Sequence, residues 1–211
     1  MRFQYDCDTA RENGLGDTLS MSAQRQLEYG YTEAEYWQIE DFSNVKHEFW
    51  DGQIYAMAGA TPKHNDIAVN VVTSLKVQLR GTPCVPRTGD QRVKAATLQT
   101  YPDVVVACRP LQYDPNDSNT LIDAAVIVEV LSRSTQSNDR NAKFDAYKAL
   151  PSLRHYLLIV QTPSHVEHHF LDEGGVWSSQ TFTNSNDVIG LSAIGCELSV
   201  SEIYEDIELA D

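Results

Sequence analysis

The chain has no long apolar run: its longest, Ala124 to Val128 and Tyr156 to Val160, fall far short of the roughly 20 residues that cross a bilayer. No membrane span is expected. Nor does it open on an apolar stretch, since Asp6, Asp8, Glu12 and Asp17 crowd its beginning, where a secretory signal is basic and then apolar. Residues 1–28 read as an acidic, disordered lead-in, with Met21 as an alternative start, followed by one domain over 29–211. Cysteine is sparse. Cys7, Cys84, Cys108 and Cys196 include no pair at the spacing of a zinc knuckle or redox motif, so a reduced, cytoplasmic protein is expected. Repeats, linkers and low-complexity segments are also lacking.

Basic residues are few. Sixteen Lys and Arg face thirty Asp and Glu, for a net charge of −14, which argues against binding nucleic acid by bulk attraction. The distribution is uneven, however: Lys63 to Lys148 holds eleven basic and nine acidic residues, leaving five and twenty-one elsewhere. With screening over about 10 Å at 0.1 M salt, a mildly basic face can coexist with acidic flanks.

What is present is 42% apolar residues in a chain of 211, enough for one real core. Thr32 and Glu35 form a capping box before a helix from Glu33 to about Glu40, and Asp51-Gly52 turns a hairpin of Lys46–Trp50 with Gln53–Ala58. Pro62 opens a helix carrying Ile67, Val71, Val72, Leu75 and Leu79 at helical spacing, with Gly81 as its stop. Strands follow at Cys84–Arg87, Gln91–Lys94, Pro102–Ala107 and Ala125–Leu131, separated by turn-rich stretches such as Asp114–Asn119. A helix over about Asp139–Leu150 stops at Pro151. Further strands are expected at Arg154–Val160, His165–Leu171 and Val176–Thr183, then a last helix where Ser199 and Glu202 repeat the capping box. The fold class is α/β or α+β, a mixed central sheet flanked by helices.

Within this pattern Glu129 is the anomaly, a carboxylate embedded in an apolar strand. Such a group must be paired, protonated or bound to a cation, because bare burial costs several kcal/mol. Asp103 stands at the entrance of another strand. Two carboxylates on neighbouring strands offer the hard oxygen ligands magnesium prefers; a structural ion pair, or a strand end meeting water, is the competing reading.

The string Tyr101-Pro102-Asp103-Val104-Val105-Val106, then Val128-Glu129-Val130-Leu131-Ser132-Arg133-Ser134-Thr135, then Asp139, Lys143, Tyr147 and Tyr156-Leu157-Leu158, resembles the Uma-type restriction endonuclease family of the PD-(D/E)XK nuclease superfamily. The likeness extends to Glu48-Phe49-Trp50-Asp51-Gly52 and His64-Asn65 and covers roughly Tyr29 to Tyr204. It implies a restriction-endonuclease-like core. It further implies metal carboxylates at Asp103 and Glu129, a third ligand from the Val130 carbonyl, and Glu48 as an acidic residue brought from an N-terminal element. The superfamily lysine two residues after the glutamate is Leu131 here, and Lys143 on the following helix is the substitute. The implied protein is a Mg2+- or Mn2+-dependent endonuclease acting on DNA, with Lys143 orienting the attacking water or stabilising developing charge. Arg140 and Tyr147 share the expected helix face with Lys143 and complete a substrate-binding set with His64. Each has an ordinary alternative: solvated lysine for Lys143, helix packing for Tyr147, helix capping or exposure for His64.

Two further features are discounted. His165, His168, His169 and Glu167 resemble metal ligands, but strand alternation sets His168 opposite the rest, and a solvent-facing strand is expected. Ser132, Ser134 and Thr135 lack the Gly-x-Ser-x-Gly context of a nucleophile. A homodimer is expected, with the hairpin around Trp50, Ile54, Tyr55 and Met57 as interface. The rival readings are a catalytically silent binding module and a phosphodiesterase for RNA or nucleotides.

Overall fold

The computed structural model describes residues 30–132 and 139–208; the acidic lead-in and the Arg133-Ser134-Thr135 segment lie outside them. The described residues form two compact units. One comprises those through Ala58 with Thr97–Thr100, and the other Gly59–Ala96 with those from Tyr101 onward.

In the first unit, helix α1 (Glu33–Phe42) begins on the expected capping box. Thr32 Oγ1 accepts the Glu35 N–H at 3.2 Å and Glu35 Oε2 accepts the Thr32 N–H at 2.8 Å, satisfying two of the donors a helix start leaves open. Strands β1 (His47–Trp50) and β2 (Gln53–Ala56) pair antiparallel. Asp51 and Gly52 turn between them with φ of 47° and 80°, the left-handed pair that matches strand twist. A short strand from the other end of the unit pairs with β1 through Phe49↔Gln99 and Trp50↔Leu98. Tyr36, Phe49 and Ile54 make the core. Ile54 is therefore not available to a subunit interface, which corrects its place in the expected one; Trp50, Tyr55 and Met57 are half-buried.

The second unit is built on a six-stranded sheet. Its members are β3 (Cys84–Thr88), β6 (Val104–Cys108), β9 (Val126–Leu131), β10 (His155–Val160), β11 (His165–Leu171) and β12 (Trp177–Phe182), in the order β12-β11-β10-β9-β6-β3. Between β3 and β6 run β4 (Arg92–Ala95) and, in the first unit, β5 (Leu98–Thr100). Only β9 and β10 run parallel, so this is the expected mixed central sheet. Alternation divides it into two faces. Val104, Val106, Val126, Val128, Val130, Leu157 and Ile159 face helix α2 (Pro62–Gln78), which presents Ile67, Val71 and Leu75. Burying each of these helix side chains is worth about 1.5–3 kcal/mol. Ile127, Glu129 and Leu131 point the other way, where a π-helical turn (Asp139–Lys143) continues into α3 (Phe144–Tyr147). Phe144 stacks on Tyr156 with ring centroids 5.1 Å apart.

The structure corrects several expectations. Asp114–Asn119 is not simply a turn: β7 (Tyr113–Asp114) and β8 (Asp117–Leu121) form a hairpin, and β8 runs parallel to β4. A further hairpin of β13 (Val188–Leu191) and β14 (Cys196–Ser199) precedes the last helix, α4 (Val200–Ile203). Ser199 makes no capping bond to α4; its hydroxyl meets Ser201 Oγ at 2.6 Å. Cys84 and Cys108, directly opposite on β3 and β6, are disulfide-bonded. The expectation of reduced cysteines fails for this pair because antiparallel pairing brings distant positions face to face. No helix among the described residues is long and apolar enough to cross a membrane.

Candidate active site

Asp103 precedes β6, and Pro102 before it favours an extended Tyr101. Its Oδ2 accepts the Val130 N–H at 2.7 Å, so a side chain takes the place of a ladder partner where β6 begins. That bond sets Asp103 beside the residue that follows Glu129 on β9. The same Oδ2 lies 3.2 Å from His64 Nε2. His64 sits in the first turn of α2, whose start is capped by Thr61 Oγ1 accepting the His64 N–H; the imidazole itself is turned to Asp103 rather than to the cap. Burial opposes its charge, yet the hydrogen bond and charge of Asp103, aided by Val130 and Asp139, hold its pKa above the ordinary 6.5. Its Nδ1 is buried with no hydrogen-bond partner among the described residues.

Glu129 is 4% exposed. Its Oε1 accepts from the Tyr147 hydroxyl at 2.8 Å and lies 3.4 Å from Lys143 Nζ. Lys143 Nζ also stands 3.2 Å from Asp139 Oδ1, one turn back. Burial pushes the Glu129 carboxyl up to about 8; Lys143 pulls against it, Asp139 and Asp103 push with it, and Tyr147 pulls it down. Burial thus holds this carboxyl neutral to a higher pH than usual. Leu131, the position vacated by the superfamily lysine, shares the Glu129 face by alternation and is buried.

Several expected residues converge and others do not. Asp103, Glu129 and Val130 adjoin, and Lys143 and Tyr147 reach Glu129 from the helical segment. Lys143 is buried, so the solvated-lysine reading is set aside, and Tyr147 packs and bonds Glu129 at once. Arg140 departs from the expected stripe. Its Nε and Nη2 donate to Glu167 Oε1 at 3.0 and 2.7 Å. Glu48 belongs to the first unit, where it is buried and accepts from Thr100 Oγ1 at 2.7 Å. Asp139 had no assigned role from sequence; its i,i+4 spacing to Lys143 was the available signal. The β11 histidines divide as alternation requires, but the strand is not simply solvent-facing: His168 is buried and its Nε2 lies 2.9 Å from His155 Nδ1.

Among the described residues no group of three or more His, Cys, Asp or Glu side chains forms a ready-made metal cage. The donor chemistry nevertheless suits a hard dication. Two carboxylates suffice for magnesium, which keeps several waters and draws further oxygens from substrate phosphate, and burial disfavours the bare Glu129 anion, which such an ion would stabilise.

Comparison with known proteins agrees with this architecture. The model of the Uma2 family, described as "Putative restriction endonuclease", matches residues 33–201. The uncharacterized protein slr1290 of Synechocystis sp. is 34% identical over 175 residues, covering 82% of this chain and 90% of that one. A second Synechocystis protein, sll1609, is 34% identical over 140 residues, covering 65% of this chain and 79% of its own. Among solved structures, a nuclease of the DUF820 group from Anabaena variabilis, so titled as a putative one, superposes with a TM-score of 0.65. It is 15% identical and covers 77% of this chain and 91% of that chain. At that identity the likeness establishes the restriction-endonuclease-like fold.

Proposed function

Because the chain belongs to the Uma2 family of restriction-endonuclease type, we propose that it is a divalent-metal-dependent endonuclease that hydrolyses DNA phosphodiester bonds. The observation that carries this reading is the buried Glu129, approached by Lys143 at 3.4 Å and set one residue from the Val130 N–H that orients Asp103 at 2.7 Å. Asp103 and Glu129 would hold magnesium or manganese, with the Val130 carbonyl as a further oxygen donor. The ion, when bound, supplies polarisation of a phosphoryl oxygen and a water of lowered pKa.

The chain's own residues do the rest. Lys143, held by Glu129 and Asp139, is positioned to stabilise charge developing on the phosphate. Tyr147 fixes the Glu129 carboxylate by its hydroxyl. His64, kept cationic more readily by Asp103, offers a donor to a phosphate oxygen. Supercoiled plasmid DNA incubated with magnesium or manganese should be nicked by the wild-type protein and left intact by Asp103→Ala or in EDTA. Intact plasmid in every arm, with the metal shown to bind, would reject the reading.

One observation favours a second reading. Glu129 Oε1 is already engaged by Lys143 and Tyr147, an arrangement that also suits a catalytically silent nucleic-acid-binding module. Metal-independent DNA binding without cleavage is its signature.

A further inference from the structure

A cavity of about 360 Å³ lies in the second unit, lined by Asp90, Gln91, Arg92, Tyr101, Tyr113, Ser118 and Asn119. None of these residues was assigned a role above, yet the cavity adjoins the carboxylate site in two ways. Tyr101 is two residues before Asp103, and two residues of extended chain reach at most about 7 Å. The loop that supplies Asp90 and Gln91 also passes close by, since a Cβ placed on Gly89 would stand 3.7 Å from Pro102 O and 3.9 Å from Asp103 Cα.

The lining mixes aromatic rings with polar and charged groups. Tyr101 and Tyr113 contribute aromatic rings. The Arg92 guanidinium stands 5.7 Å from the Tyr101 ring centroid. Gln91, Ser118 and Asn119 add donors and acceptors, and Asp90 a carboxylate. Gln91 is locked in place by donating Nε2 to Asn119 O at 2.7 Å and Arg92 O at 3.0 Å. Behind Tyr113, Arg87 donates Nη2 to its hydroxyl at 3.4 Å, while Arg87 Nη1 is buried with no partner among the described residues. The wall is also stiff. Asp114 Oδ1 accepts the Asn116 N–H at 2.8 Å and Lys94 Nζ binds Asp114 Oδ2 at 2.9 Å, and Asp117 Oδ1 accepts the Asn119 N–H at 3.0 Å. A mixed set of acid, amide and guanidinium groups beside aromatic faces does not favour a bare anion. It suits a flat heterocycle that exposes both donors and acceptors at its edge.

We propose that this cavity receives one unpaired nucleobase of the DNA strand, in the nucleotide adjoining the phosphate at Asp103. The proposal rests on the nuclease reading for its substrate, but base capture needs neither metal nor cleavage. Tyr113 supplies a stacking face, Asn119 and Ser118 read the base edge, and Arg92 backs Tyr101.

The test is binding in EDTA by the full chain, read by fluorescence anisotropy. The probes are a single-stranded 12-mer carrying 2-aminopurine and the same 12-mer with an abasic site in its place. Wild type should bind the intact probe more tightly and quench 2-aminopurine. The Tyr113→Ala, Asn119→Ala double variant should bind it about tenfold more weakly, as loss of one base–aromatic stack does, with its affinity for the abasic probe unchanged. Tyr113→Phe should restore the quench, which separates stacking from misfolding. Equal affinity of wild type for the two probes, no binding of either, or wild-type quenching by the double variant would overturn the proposal. Base-dependent binding in a protein that never cuts plasmid would leave this inference standing and remove the nuclease reading; cutting with no base dependence would do the reverse.

Discussion

In the proposed mechanism Lys143 is the residue on which the chemistry turns, being buried between Glu129 and Asp139. Lys143→Ala should slow plasmid cleavage by about 10²-fold or more, the scale on which a positioned charge stabilises a transition state. Metal-dependent stabilisation of the fold should persist. Cleavage at the wild-type rate would return the role to another basic residue, such as Arg92 or Lys94. A second residue-scale prediction concerns the His155–His168 pair. His155 Nε2 accepts the Ala193 N–H at 3.2 Å, so its Nδ1 carries the proton donated to His168 Nε2, and both rings are neutral. Burial, with Arg154 nearby, lowers His155 to about 4, and burial, with His155 and His169, lowers His168 to about 4. The unfolded chain takes up these protons near the ordinary 6.5, so the folded state loses stability as pH falls from 6.5 towards 4. His168→Gln, which keeps an acceptor for His155, should flatten that part of the melting-temperature profile; an unchanged slope would contradict the assignment. At this scale the sequence singled out Glu129 and Asp103 by their strand settings and Lys143 through the resemblance, and the structure brings Lys143 Nζ to 3.4 Å from Glu129 Oε1. The sequence did not disclose that Tyr147 donates to Glu129, because a tyrosine at that spacing packs against the sheet whether or not its hydroxyl finds a carboxylate. His168 facing away from its neighbours was legible from alternation, but its pairing with His155 required the β10–β11 register.

Among the elements, α2 is where sequence and structure agree most closely, because Pro62 at its start and a five-member apolar stripe leave one face to bury. Leu75 is fully buried beneath it, and Leu75→Ala should cost about 2–5 kcal/mol, lowering the denaturation midpoint without abolishing metal binding. A loss under about 0.5 kcal/mol would mean that this face is not the core. The elements that sequence did not disclose share a cause. β7 and β8 are short and polar, and their hairpin is set by Asp114 and Asp117 accepting backbone N–H groups two residues on, a turn chemistry that reads locally as loop. β5, β13 and β14 are only three or four residues long and exist through tertiary pairing rather than through their own periodicity. The π-helical turn is similar: from sequence its residues read as ordinary helix.

For the whole molecule, the net charge of −14 makes non-specific attraction to DNA weak, so under the proposed function affinity would come from a few placed groups and from the metal. A dication bound only by the folded state stabilises it by mass action. Manganese at about 100 times its dissociation constant should therefore contribute about 2.7 kcal/mol and raise the melting temperature. The Asp103→Ala, Glu129→Ala double variant should show no rise, and equal rises in both proteins would place the ion elsewhere. The central claim, that Asp103 and Glu129 together serve metal-dependent DNA hydrolysis with Lys143 as the charge-stabilising group, is tested most directly by one side-by-side rate measurement. It compares magnesium-dependent nicking of supercoiled plasmid by wild type, Asp103→Ala, Glu129→Ala and Lys143→Ala, each verified as folded. The account predicts nicking by wild type and a loss of about 10²-fold or more in each variant; nicking by all four at one rate would contradict it.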